Sequence, residues 1–259
     1  MEIIKSENSN IDKYEELLLK RDSYRKEANV YLALYLREFG DMLTEVFKKK
    51  IDSISLKKSI TYCQIFANRG ERVNFVKMQE HIAIEMKEYN ENLEKLIHDR
   101  DASKNMKYTS EENVLKVKKV YRKLAKLIHP DMNSHTEETP HLSELWNRVS
   151  AAYQANDLKE IEELEVLVNT TLEKLGDNVA EIVIPDLGEK IDALKDEIQN
   201  ILNTDPYRYK YLLEDKELVS EKHRSLKDEL EEYSAYEMQL KEILRTYLMN
   251  GVDIPWEMN

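Results

Sequence analysis

Apolar residues recur at three- and four-residue steps along most of the chain, which is the spacing that one face of an α-helix requires. In the N-terminal part, this pattern predicts a helical region from Ile11 to about Ala67 with Gly40 as its weak point. Asn68-Arg69-Gly70 then gives a stop signal, and a third helix is predicted from Phe75 to Leu96. We therefore expect residues 1–104 to form an N-terminal helical region, either a bundle or a long hairpin.

The C-terminal part repeats the pattern on both sides of a break at Asn203-Thr204-Asp205-Pro206. One stripe begins near Leu187, and the other continues to about Met249. Two such stripes predict an antiparallel coiled-coil hairpin over residues 176–259, whose second arm would be about 50 Å long and exceed the first. Glu181 to Ile184 has strand character and is expected to be an extended linker, whereas the tail at Ile254-Pro255-Trp256 is expected to dock on the helical core.

The centre of the chain, residues 105–175, combines a basic helix with an abrupt end. Thr109 followed by Glu112 fits a capping box, so the helix is predicted to start near Ser110. It must end at His129, because Pro130 lacks an N–H and disfavours the α conformation in the residue before it. Its apolar stripe consists of Val114, Val117, Tyr121, Leu124, Ala125 and Ile128, and its other faces carry Lys116, Lys118, Lys119, Arg122, Lys123 and Lys126.

A second amphipathic helix follows a short polar loop. Thr139 is a plausible N-cap with Pro140 at the first helical position, and the stripe consists of Leu142, Leu145, Trp146, Val149, Ala152 and Tyr153. The two stripes predict an antiparallel hairpin. His129 and Asp131 would then lie at its exposed tip, beside the basic face.

This central stretch resembles a J domain, the module that engages DnaK-type chaperone ATPases. His129-Pro130-Asp131 match the signature tripeptide of that family. Residues of both helices match as well, with Trp146 in place of a core phenylalanine: Lys118, Tyr121, Arg122, Lys123, Leu124, Ala125, Ala152 and Tyr153. The resemblance implies that the tripeptide, Tyr121 and the basic residues Lys118, Arg122, Lys123 and Lys126 bind a DnaK-type chaperone and stimulate its ATP hydrolysis.

Composition is consistent with an all-α protein: long-helix bundles and coiled-coil hairpins with an embedded J-domain-like hairpin. The 259 residues include only five Gly and five Pro, and 35% are charged. The net charge of −12 makes the basic helix a local exception in an acidic chain, which argues against a general nucleic-acid binder. We expect a cytoplasmic protein, because the N-terminus has no signal-peptide core and the longest apolar run is too short to span a membrane.

The sequence offers little support for enzyme or metal chemistry. His129, His135 and His141 share one loop with acidic residues, but their spacing fits no standard ligand pattern. No nucleophile or glycine-rich phosphate loop is evident, and the single cysteine, Cys63, lies among apolar residues and is predicted to be buried. We therefore expect no enzymatic activity, no cofactor and no metal.

A second function from a different class remains open. The stretch before Thr109 lacks the Tyr-Tyr-x-x-Leu-Gly phrase of the first J-domain helix, which would suit a coiled-coil scaffold with a degenerate J domain. A helix packed across the docking face would favour the scaffold, and an exposed basic face would favour the co-chaperone. In either case the coiled coil could bind a client protein or a second copy of the chain.

Overall fold

The protein is all-α, as predicted. The computed structural model describes residues 2–106, 109–175 and 186–253, and almost all of them are helical. The described helices are α1 Glu2–Asn68, α2 Phe75–Glu85, α3 Lys87–Asn105, α4 Glu111–Ile128, α5 Ser134–Glu138, α6 Pro140–Ala155, α7 Leu158–Leu175, α8 Leu187–Asn203, α9 Tyr209–Glu214 and α10 Lys216–Gly251. A single parallel pairing is described between two short strands, β1 Val73–Asn74 and β2 Val252–Asp253.

The chain forms two compact units, and each combines segments that are distant in the sequence. The first unit contains residues 1–30 and 107–208, and the second contains residues 31–106 and 209–259. The three predicted domains, 1–104, 105–175 and 176–259, are continuous ranges and stay a prediction. The predicted linker at 181–184 and the docking of the tail at 254–256 lie outside the described residues.

Helix α1 continues through Gly40 without a break. A Cβ atom at this position would lie 2.7 Å from Cγ of Arg100 on α3. Glycine in a helix interior costs about 1 kcal/mol relative to alanine. Here the missing side chain lets α3 approach α1 closely.

The core of the first unit is built by α4, α6 and α7. Thirteen buried residues form one apolar cluster: Val117, Tyr121, Leu124, Ala125, Ile128, Leu142, Leu145, Val149, Ala152, Tyr153, Ile161, Leu164 and Val168. Ten of them belong to the two predicted stripes, and α7 supplies the other three. Among the described hydrophobic side chains of α1, only the half-buried Leu19 packs against this cluster.

A smaller cluster in the first unit joins α1 and α8. Tyr14 and Leu18 of α1 pack with Ile191 and Leu194 of α8, and Met132 lies among them. Asp186 precedes α8 in the left-handed conformation and its side chain caps no backbone N–H. Helix α8 therefore begins at Leu187 without a side-chain cap.

In the second unit, the long helix α10 packs along α1. Leu226 is buried with Tyr35, Leu36 and Phe39. Cys63 is buried in a separate cluster, where its Sγ lies 3.6 Å from Sδ of Met78, and burial raises the pKa of its thiol. The prediction of a buried cysteine is confirmed.

Among the residues that the structure describes, no helix is both long enough and apolar enough to cross a membrane.

Candidate partner-binding site

The basic helix α4 begins and ends where predicted, but its N-cap is Ser110 rather than Thr109, so the prediction of a capping box between Thr109 and Glu112 is wrong. Ser110 is its N-cap, with its hydroxyl accepting a hydrogen bond from the backbone N–H of Asn113 at 3.4 Å. Glu111 and Glu112 lie in the first turn, where acidic side chains complement the helix dipole. The helix ends at His129, as expected for the residue before Pro130.

Stacked aromatic rings hold α4 against α6. The rings of Tyr121 and Tyr153 lie 3.8 Å apart and are almost parallel. At the other end, the ring of His129 lies 4.6 Å from that of Trp146. Because Tyr121 precedes His129 on α4 whereas Tyr153 follows Trp146 on α6, the two helices run antiparallel.

The tripeptide forms a compact turn stabilised by its own hydrogen bonds. The backbone N–H of Asp131 donates to Nδ1 of His129 at 3.0 Å. The carbonyl oxygen of His129 accepts from the N–H groups of Met132 and Asn133 at 2.9 and 2.8 Å. The Asn133 amide donates to the carbonyl of Leu127 at 2.9 Å, so the turn is tied back to α4.

His129 is not exposed at the tip of the hairpin. Only 4% of its surface is accessible, whereas the Asp131 side chain remains 41% exposed. The cause is α1, which lies over the turn. The prediction of an exposed His129 is therefore wrong. The sequence pattern of the hairpin does not indicate that α1, which is distant in the sequence, covers this turn.

Two adjacent residues of α1 make the contact with the tripeptide. Nη1 of Arg21 lies 3.2 Å from Oδ2 of Asp131, and its Nη2 lies 3.0 Å from Oδ1 of Asp22. Oδ2 of Asp22 accepts a hydrogen bond from the Tyr121 hydroxyl at 2.7 Å and lies 3.7 Å from Nε2 of His129. The result is a buried charged network that links α1, α4 and the tripeptide.

Opposing effects act on the pKa of Asp22. Burial raises it, but the nearby His129 ring, the positive charge of Arg21 and the hydroxyl of Tyr121 together outweigh burial. The pKa of this carboxyl therefore lies below its usual value. Burial and the neighbouring Asp22 carboxylate raise the pKa of Tyr121, so its hydroxyl remains a donor.

A third charged residue of α1, Lys26, contacts the end of α6. Its Nζ lies 2.5 Å from the carbonyl oxygen of Tyr153 and 2.6 Å from Oδ1 of Asn156. It also lies 3.9 Å from the centre of the Tyr153 ring. Burial, with a smaller effect from the charge of Lys118, lowers the pKa of Lys26 to about 8.

The predicted basic residues are divided between internal contacts and solvent. Lys118 donates to the Ser23 hydroxyl at 3.2 Å, and Lys126 pairs with Glu15 at 2.7 Å. Lys123 pairs with Glu165 of α7 at 2.5 Å, and Arg122 is exposed. The side chains of Lys123 and Lys126 nevertheless remain 60% and 57% exposed, so part of the basic face is accessible to a partner.

Arg21, Asp22 and Lys26 were not predicted to belong to the site. The one available signal was an interruption of the apolar stripe of α1, because charged residues occupy its inward positions between Leu18 and Ala28. Charged residues on a helix face are usually solvated, so the interruption by itself did not indicate burial.

Comparison of the chain with protein-family models, with curated proteins and with solved structures gave no match. The resemblance to J domains thus depends on the residues quoted above. Within the described part of the chain, no group of three His, Cys, Asp or Glu side chains is arranged to hold a metal ion.

Proposed function

We propose that this protein is a cytoplasmic J-domain co-chaperone that binds a DnaK-type chaperone and stimulates its ATP hydrolysis. His129, Pro130 and Asp131 form the tip contact. Lys118, Arg122, Lys123 and Lys126 form the electrostatic docking face, with Tyr121 supporting it from within the hairpin. The protein itself has no catalytic site in this proposal, and its other helices select a client or a second copy of the chain.

One observation carries the proposal: a helix with an exposed basic face ends directly at the tripeptide, on a hairpin with its own packed core. Lys123 and Lys126 project into solvent. The stacking of Tyr121 on Tyr153 fixes α4 relative to α6, so these cations do not have to be positioned when a partner binds. An acidic partner surface would be attracted to this face.

The proposal is tested by single-turnover ATP hydrolysis with a DnaK-type chaperone from the same organism. The protein should raise the hydrolysis rate in a concentration-dependent manner, and a His129→Gln variant should not. A Lys159→Gln variant is the control, because this exposed lysine pairs only with Glu163 on its own helix. Absence of stimulation by both the wild type and an Arg21→Gln variant, in which Asp131 has lost its partner on α1, would refute the co-chaperone proposal, with the fold of each protein verified by circular dichroism.

The burial of His129 favours a second candidate, the scaffold with a degenerate J domain. In that proposal, Arg21 and Asp22 occupy the tripeptide permanently, and the turn serves only to join α1 to the hairpin. The scaffold predicts that the chaperone does not bind the chain at any concentration and that a His129→Gln change affects stability alone. The same hydrolysis assay, combined with thermal unfolding, separates the two candidates.

A further inference from the structure

The inner face of α1 carries charges opposite to those of the tripeptide and the basic helix. Glu15 pairs with Lys126, Arg21 pairs with Asp131, and Asp22 accepts a hydrogen bond from Tyr121. Any partner that recognises these same groups must present an acidic residue to the lysine and a cation to the aspartate. It would therefore compete with α1, because α1 lies over the turn and leaves His129 only 4% exposed.

We propose that the segment of α1 from Tyr14 to Lys26, together with α8, is an autoinhibitory cover over the tripeptide that a DnaK-type partner must displace. This inference rests on the function proposed above and adds its regulation. The basic side chains that remain exposed on α4 supply the first encounter, and the covered His129 completes docking only after α1 has left.

The hairpin core takes little apolar surface from the cover. Among the residues that the structure describes, α1 adds only the half-buried Leu19 to the hydrophobic side chains of the cluster formed by α4, α6 and α7. The charged contact over the tripeptide consists instead of Arg21 and Asp22, and a third charged residue, Lys26, contacts the end of α6. All three side chains are buried. The cost of removing charges from water offsets much of the attraction within such pairs, so a contact of this kind opens more readily than an apolar core.

Helix α8 belongs to the cover because it is joined to α1 by both apolar and charged contacts. Glu197 of α8 pairs with Arg25 and lies 3.7 Å from Arg21. Leu18 packs with Ile191 and Leu194, and the hairpin contributes only Met132 to this cluster. Release of α1 and α8 as a pair would expose Met132, which is 6% accessible in the closed arrangement, directly beside the tripeptide.

The cover lowers the apparent affinity of the protein for its partner. When only a fraction of the molecules is open, the apparent affinity for the partner falls by that fraction. Weakening the cover by about 1.4 kcal/mol would raise the open fraction about tenfold while closed molecules predominate. The concentration needed for half-maximal stimulation would then fall about tenfold, and the maximal rate would not change.

The test uses the full-length chain in the single-turnover assay with two variants that weaken the cover and leave the docking residues intact. Arg21→Gln removes the cation that pairs with Asp131, and Glu15→Lys repels Lys126 at the edge of the cover. Glu163→Lys makes the same change in charge as Glu15→Lys at an exposed position of α7, and is the control. Amide hydrogen exchange over residues 12–26 and 127–133 reports whether the cover has opened.

We expect faster exchange in both segments for Arg21→Gln and Glu15→Lys, together with half-maximal stimulation at about a tenfold lower concentration. Adding His129→Gln to either variant should abolish the stimulation. The inference is overturned if stimulation by the wild type equals that by both variants, or if exchange is unchanged in both; the proposed function survives either result. Absence of stimulation in the wild type and in variants whose cover has opened would instead overturn the proposed function, and the inference with it.

Discussion

At the scale of single residues, the centre of the site is a carboxylate on α1 rather than a residue of the tripeptide. Asp22 receives hydrogen bonds from Arg21 and Tyr121 and faces His129. Removing one member of a buried charged network leaves the others without a partner in a region that water does not reach, which typically costs several kcal/mol. Asp22 should therefore contribute strongly to stability, although it is distant from the tripeptide in the sequence.

We predict that Asp22→Asn lowers the free energy of unfolding by about 3 kcal/mol at pH 7, because the neutral amide cannot balance Arg21. The pKa of Asp22 is lower in the folded protein than in the unfolded chain, where it is near 3.8. Its stabilisation is thus fully present above pH 3.8 and is lost as the pH falls further, through the folded pKa. In urea unfolding experiments, the difference in the free energy of unfolding between wild type and variant should shrink as the pH is lowered from 5 to 2.

Asp196→Asn is the matched control, since this carboxylate is exposed on α8. It should change stability by less than about 0.5 kcal/mol at either pH. Equal effects of the two substitutions would contradict the role given to Asp22.

The second residue-scale prediction concerns Lys26, which has a pKa of about 8 in the folded protein and 10.5 in a solvated lysine. Above pH 8, the folded protein releases this proton while the unfolded chain retains it, so stability rises with pH. Relative to a Lys26→Met variant, the wild type should gain about 2 kcal/mol between pH 8 and pH 10. Urea titrations across this range measure the gain, and a constant difference between the two proteins would show that Lys26 is not desolvated.

At the scale of helices, the sequence predicted the elements of the first unit well. Helix α4 has the expected ends, because local chemistry sets them: the hydroxyl of Ser110 at the start and the ring of Pro130 at the end. Helix α6 starts at Pro140 as predicted. The predicted stripes became the buried core, because burying one apolar face is the main contribution that an amphipathic helix makes to folding.

The packing partners of the helices were harder to predict. The apolar stripe of α7 does not indicate which helices cover it. In the structure, Ile161, Leu164 and Val168 complete the core of the hairpin. Many pairings of amphipathic helices bury similar apolar areas, so the choice among them depends on side-chain fit that periodicity does not describe.

We predict that Leu164→Ala lowers the free energy of unfolding of the first unit by about 3 kcal/mol, because the leucine is fully buried and its removal leaves a cavity. Leu167→Ala, on the exposed side of the same helix, should change it by less than about 0.5 kcal/mol. Fluorescence of Trp146 in a Trp256→Phe background follows the unfolding of this unit in urea. A small effect of Leu164→Ala would contradict the place of α7 in the core.

At the scale of the whole molecule, charge is unevenly distributed. The chain has 39 basic and 51 acidic residues, and the basic helix is faced by acidic residues of α1 and α7. A polyanion would meet lysines that are already paired, within an acidic protein. This charge distribution favours binding to an acidic protein surface of defined shape over binding to the phosphate backbone of a nucleic acid.

We predict that the protein does not bind duplex DNA or RNA at 0.15 M salt. Fluorescence anisotropy of labelled 20-base-pair duplexes should stay constant up to a protein concentration of about 10 µM, well above that at which specific binders saturate. Binding whose affinity falls steeply as salt is raised would contradict this prediction and favour a nucleic-acid interface on α4. Loss of that binding in a Lys123→Glu variant would then show that α4 forms the nucleic-acid interface.

The sequence by itself determined the all-α class, both ends of α4, the start of α6 and the hairpin stripes. These depend on near neighbours in the chain: caps, prolines and the 3.6-residue period of apolar side chains. The grouping of residues 1–30 with residues 107–208, and with it the burial of His129 beneath Arg21 and Asp22, was decided only by the tertiary structure. The physical reason is that charged residues on a helix are normally exposed to solvent. They become buried only where a distant segment provides the opposite charges, and no local pattern indicates which segment that is.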